Sequence, residues 1–106
     1  MKQFTNKEQT RHLIELGFPR PESISEVNYY DEAYTTETEF EYAYSIGELI
    51  EFLGIHLMGI KLMETYEVYA YKKTNDIEYV DWFNTKGELI DALYDACVEL
   101  KKEGVI

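Results

Sequence analysis

Ser45-Ile46-Gly47-Glu48-Leu49-Ile50-Glu51-Phe52-Leu53 is the stretch on which the reading of this chain turns. Ser45 and Glu48 have the spacing of a capping box. The serine oxygen can accept from a free first-turn amide, and the glutamate can reach back to the serine amide. Ile46, Leu49, Ile50 and Leu53 then share one helical face, and Gly54 stands where a positive-φ C-cap is wanted. Forty positions on, Thr85-Lys86-Gly87-Glu88-Leu89-Ile90-Asp91-Ala92-Leu93 echoes it. The residues preceding the two copies do not match, so shared capping needs explain the echo better than duplication.

Working outward, Thr5 and Glu8 offer another capping box, for a helix from Asn6 to Leu16 that ends at Gly17 and Pro19. Leu13, Ile14 and Leu16 are its apolar face. Residues 20–33 lack periodicity and read as an ordered connector. From Tyr34 to Tyr44 polarity alternates: Thr36, Thr38, Phe40, Tyr42 and Tyr44 lie on one face, Glu37, Glu39 and Glu41 on the other. That pattern predicts a half-buried strand with an acidic side. Gly54 to Gly59 is a connection. Ile60 to Lys73 is strand-like, with Tyr66, Val68 and Ala70 on one face and Tyr69 and Tyr71 on the other. Thr74-Asn75-Asp76 supplies turn chemistry before a returning strand from Ile77 to Phe83. A final helix from Lys86 to Glu103 carries Leu89, Ile90, Leu93, Ala96, Cys97 and Leu100 as its buried stripe, leaves Tyr94 and Val98 off it, and stops at Gly104. The expected fold is α+β: one small domain over residues 1–106, in the order α-β-α-β-β-α, with a mainly antiparallel sheet of at least three strands and helices on one face.

Composition narrows the function classes. The net charge of −11 is uneven: residues 1–20 net +2, whereas nine carboxylates and no Lys or Arg lie between Arg20 and Lys61. Direct binding to nucleic acid or to an anionic membrane is disfavoured for want of cations. No apolar run approaches the roughly 18 residues of a membrane span, and the polar N-terminus lacks a signal-peptide core. Cys97 is the sole cysteine, so no internal disulfide forms. A cytoplasmic protein is the expectation.

The residues that could carry chemistry each have a plainer explanation. Glu88, Asp91, Asp95 and Glu99 could share a divalent ion, but an ordinary solvated helix face looks the same. His12 and His56 have no spacing that joins them. Cys97 sits mid-stripe, where a cysteine acts as a small hydrophobe. No phosphate loop, nucleophile elbow or zinc pattern is present. We therefore expect no catalytic residue, no metal and no cofactor. The ten tyrosines exceed what an inward sheet face would hold, and tyrosine suits interfaces because it joins apolar area to a polar tip.

The segments Tyr44 to Leu53 and Glu88 to Tyr94, through Glu103-Gly104-Val105-Ile106, resemble short uncharacterised acidic proteins of phages, prophages and mobile elements of gut bacteria. The resemblance implies a small accessory protein and brings no catalytic residue with it.

Two functions from different classes follow as expectations. The first is a non-catalytic module that binds a protein, or itself, through Tyr69 and Tyr71. The second is an inhibitor that mimics nucleic acid, in which Glu37, Glu39 and Glu41, about 7 Å apart along the strand, occupy the phosphate groove of a basic partner. A small metal-dependent enzyme, resting on the acidic helix stripe alone, comes third.

Overall fold

The computed structural model describes residues 2–30, 36–62, 65–74, 77–84 and 88–106, with the backbone alone at 26–30, 36–40, 74, 77, 79 and 84. The elements are α1 (Lys7–Glu15), β1 (Ile24–Tyr30), β2 (Thr36–Tyr42), α2 (Ile46–Leu53), a 3-10 turn (Gly54–His56), β3 (Leu57–Leu62), β4 (Tyr66–Thr74), β5 (Ile77–Asn84) and α3 (Leu89–Lys102). The fold is α+β. β1 and β2 form a two-stranded antiparallel sheet, and β3-β4-β5 form a three-stranded antiparallel sheet in that order. α3 packs on β4 and β5, and α2 packs on α3. Among the described residues no helix is long and apolar enough to cross a membrane.

The Ser45 cap forms as its spacing predicts. Glu48 N–H donates to Ser45 Oγ and Ser45 N–H donates to the Glu48 carboxylate, both at 3.1 Å, and Gly54 closes α2 at φ 52°. Glu48 has a second task. Its other oxygen accepts from Glu22 N–H at 3.1 Å, and the Ser23 hydroxyl donates to its carboxylate, so one side chain ties the segment before β1 to the start of α2. Burial pushes the Glu48 carboxyl up, but the bonds from Ser23, Ser45 and Glu22 outweigh it and hold it below its ordinary value. A carboxyl depressed in the folded state adds stability above its unfolded pKa and loses it as pH falls through the folded one. Ser45→Ala should cost about 1 kcal/mol. Gly47→Ala should return up to about 1 kcal/mol, because a Cβ there meets nothing nearer than Ser45 Oγ at 3.8 Å. Glu48→Gln should flatten the acid limb of a urea-midpoint profile below about pH 4.5, the ordinary value for this carboxyl. An unchanged acid limb would exclude this role for Glu48.

Several expected boundaries move. α1 is capped by Asn6 with Gln9, one residue beyond the predicted Thr5–Glu8 pair. Thr5 is buried instead, its hydroxyl shared with Thr10 and the Tyr44 amide. α3 starts at Leu89, where the Asp91 carboxylate accepts from Glu88 N–H at 3.1 Å. The predicted Thr85 cap falls outside the described residues. The connector 20–33 contains β1, paired with β2 from Ile24↔Tyr42 to Tyr30↔Thr36. Among the described residues β1 pairs with β2 alone, and such a strand needs backbone partners rather than alternating polarity, so its sequence shows no period. The run from Ile60 to Lys73 is two strands, and β3 begins at Leu57 inside the predicted connection. The observed order is α-β-β-α-β-β-β-α.

The core lies between the helices and the inner face of β4. Leu89, Ile90, Leu93, Ala96, Cys97 and Leu100 are all buried, as their spacing predicts. Val98 is buried too, contrary to expectation, and Tyr94 is half-buried. α3 has the sheet on one side, α2 on another, and α1 joined to it through Gln9–Asp91 and His12–Tyr94, so more than one stripe is covered. At the end of α1, Gly17 (φ 99°) lets Phe18 N–H return to Leu13 O at 3.1 Å. That reversal places the Phe18 ring 5.0 Å from Phe52.

Candidate interaction surface

β4 alternates as its sequence predicts. Val68, Ala70 and Lys72 point inward and are fully buried, while Tyr69 and Tyr71 alternate onto the outer face and are half-buried there. The register adds what the sequence did not supply: Tyr69 stands opposite Trp82 and Tyr71 opposite Val80 on β5. Trp82 is 61% exposed and Val80 48%. On β3 the partner of Tyr69 is Gly59, where a Cβ would meet only open space. Beyond Tyr71 the His56 ring lies nearly parallel to it, at 16° and 6.4 Å between centroids. His56 Nδ1–H donates to Tyr71 O at 3.0 Å, the carbonyl being able only to accept. The outer face is therefore a band of His56, Tyr71, Val80, Tyr69 and Trp82.

Charged groups border the band and orient its hydroxyls. Tyr69 Oη donates to Glu67 and Tyr71 Oη bonds Glu78. The Glu67 bond holds the Tyr69 hydroxyl above its ordinary pKa, with burial adding to it. Burial first, then Glu78, does the same for Tyr71. Both phenols stay neutral at physiological pH and present an apolar ring with an anchored tip. Val80 and Trp82 were missed at the sequence level. Their alternation was visible, but placing them beside Tyr69 and Tyr71 requires the β4–β5 register.

The acidic row is divided from this band. Glu41 lies at the root of the two-stranded sheet, 3.0 Å from Lys7 Nζ. Glu39 and Glu37 pair in register with Val27 and Tyr29, and their side chains lie outside the described residues. On α3, Asp91 is occupied by Lys2 at 3.3 Å and Gln9 at 2.8 Å. Burial raises the Asp91 carboxyl, but bonds from Gln9 and Glu88 and the Lys2 charge hold it low. Among the described residues no three His, Cys, Asp or Glu side chains converge as metal ligands do. His12 and His56 have separate partners, Tyr94 and Tyr71. Cys97 is fully buried, and burial pushes its thiol up to about 12, so it remains the protonated thiol of a core residue.

Fold and surface together define a small α+β scaffold with helices on one sheet face and an aromatic band on the other. No protein-family model, curated protein or solved structure matches the chain.

Proposed function

We propose that the protein is a non-catalytic interaction module that seats a partner polypeptide, or a second copy of itself, on the outer face of β3-β4-β5. The observation that carries this reading is Trp82, the only tryptophan of the chain, 61% exposed directly across from Tyr69. Large aromatics left outside a core cost solvation, and they supply most of the binding energy where interfaces form. The resemblance of the capped-helix segments to phage and mobile-element proteins supports an accessory role in a bacterial cytoplasm. Mimicry of nucleic acid stays second, because Lys7 already neutralises one of its three carboxylates.

Trp82 also supplies the readout. Its emission should be that of a solvated indole in dilute protein, and should shift to the blue as a partner or a second copy covers it. Affinity capture from a bacterial lysate and sedimentation equilibrium identify which occupant is responsible. Tyr69→Ala and Trp82→Ala should each weaken the association by about 2 kcal/mol, roughly 30-fold, with little change in stability. A strictly monomeric protein that captures nothing and keeps a solvated indole throughout would refute the proposal.

A further inference from the structure

Between α1 and the root of the β1–β2 hairpin lies an open cavity of about 560 Å³, away from the aromatic sheet face. It continues into a second lobe of about 450 Å³ that shares Thr10, Ile14, Arg20 and Tyr42 with it and reaches Pro21. Each lobe is of the size that small-molecule sites have, on the order of 300–1,000 Å³. In a chain of net charge −11, three cations and two carboxylates line the larger lobe, giving a locally positive place on an acidic molecule.

The charges there are not equivalent. Lys7 is paired with Glu41 at 3.0 Å. Arg11 and Arg20 make no ion pair or hydrogen bond among the described residues. Two uncommitted guanidiniums present the planar donor forks that suit carboxylate or phosphate oxygens. Beside them are apolar walls: Ile14, Pro21 and Tyr42, the last 66% exposed. A bare inorganic anion would leave those walls in water, and a neutral apolar molecule would leave the guanidiniums without acceptors. We propose that this cavity binds a small organic anion, with an aromatic or apolar body against Tyr42 and Ile14 and a carboxylate or phosphate on Arg11 and Arg20.

The test is a titration of the full ¹⁵N-labelled chain with phenyl phosphate, phenylacetate, inorganic phosphate and the neutral 2-phenylethanol, followed at the Arg11 and Arg20 Nε–H and the Tyr42 amide. Saturable shifts at those three positions are expected from one or both aromatic anions. Inorganic phosphate and the alcohol should bind at least about tenfold more weakly. The better of the two anions identifies the head group. Arg11→Gln and Arg20→Gln should each weaken it by roughly tenfold, and Tyr42→Ser should weaken phenyl phosphate without changing the response to inorganic phosphate. Amide spectra of the three variants that match wild type away from the cavity show that the fold is kept, and the exposed Tyr42 makes its variant the least disruptive. The proposal is overturned if neither aromatic anion gives saturable shifts, if the alcohol or inorganic phosphate binds equally well, or if well-folded arginine variants bind as wild type does.

Discussion

Tyr44→Ala is expected to cost about 4 kcal/mol, the range for deleting a large buried aromatic, whereas Tyr44→Phe should cost only about 1–2 kcal/mol. Tyr44 is fully buried at the junction of three segments. Its ring stands edge-on to Phe52 at 5.5 Å between centroids. Its hydroxyl donates to Pro19 O at 2.5 Å, anchoring the chain between α1 and β1. Its own backbone exchanges bonds with Thr5, the amide donating to Thr5 Oγ1 and the carbonyl accepting from Thr5 N–H. Alanine removes the ring and leaves a cavity, while phenylalanine only deprives Pro19 O of its donor. Urea unfolding at neutral pH separates the two, and equal losses would mean that the hydroxyl rather than the ring is the hub. Alkaline pH gives a second readout. Burial and the neighbouring Glu48 push the phenol up to about 12 from 10.0, against the opposing pull of Arg20. The neutral form is thus favoured in the folded state, so this contribution is complete below pH 10 and is lost as pH rises through about 12. The advantage of wild type over Tyr44→Phe should shrink across that interval.

Lys72→Met should cost about 2–3 kcal/mol, somewhat less than the roughly 3–5 expected when one member of a fully buried pair is removed. Lys72 is completely buried on the inner face of β4, with Nζ 2.7 Å from Asp81 and 2.6 Å from Glu103. The two carboxylates are 44% and 35% exposed and can regain water, which moderates the loss. Adding Asp81→Asn and Glu103→Gln to Lys72→Met should recover most of it, because no unbalanced charge then remains. If the triple variant is as unstable as the single one, packing of the lysine stem is the whole effect. Burial lowers the Lys72 pKa, but the bonds to Asp81 and Glu103 prevail and it lies above the ordinary 10.5. Its stabilisation is therefore complete below that value and is lost as pH rises through the higher folded one. Since the wild type and Tyr44→Phe share it, it cancels from their comparison.

What could be read in the sequence was local. The Ser45–Glu48 box, the Gly54 and Gly104 stops and the α3 stripe depend on residues within a turn or two of one another. Where two overlapping boxes were possible, spacing could not choose. Thr5–Glu8 lost to Asn6–Gln9 because tertiary contacts with Thr10 and Tyr44 take the Thr5 hydroxyl. At the start of α3 the box within the described residues is Glu88–Asp91. Alternation put Tyr69 and Tyr71 on the outer face, but Trp82 and Val80 joined them only through register. Nothing local singles out Lys72, since its partner Glu103 lies at the far end of α3. The cavity at Arg11 and Arg20 is likewise invisible in one dimension, because Tyr42 reaches it only when β2 returns to α1.

Among the described residues β3 and β5 are the outer strands of the three-stranded sheet, and an aromatic face between two edge strands is the arrangement from which sheets grow into fibres. The pairing irregularity between Leu57 and Gly59 interrupts the regular ladder of β3, and Lys61 stands further along the same strand. β5 carries Glu78 and Asp81. A second copy arriving edge-on meets an uneven backbone on one side, carboxylates on the other and like net charge throughout. A molecule built this way can offer Trp82 and Tyr69 to side chains while denying its backbone to further strands. On the proposed function, adhesion would fall to the face while the rim disfavours growth by strand pairing.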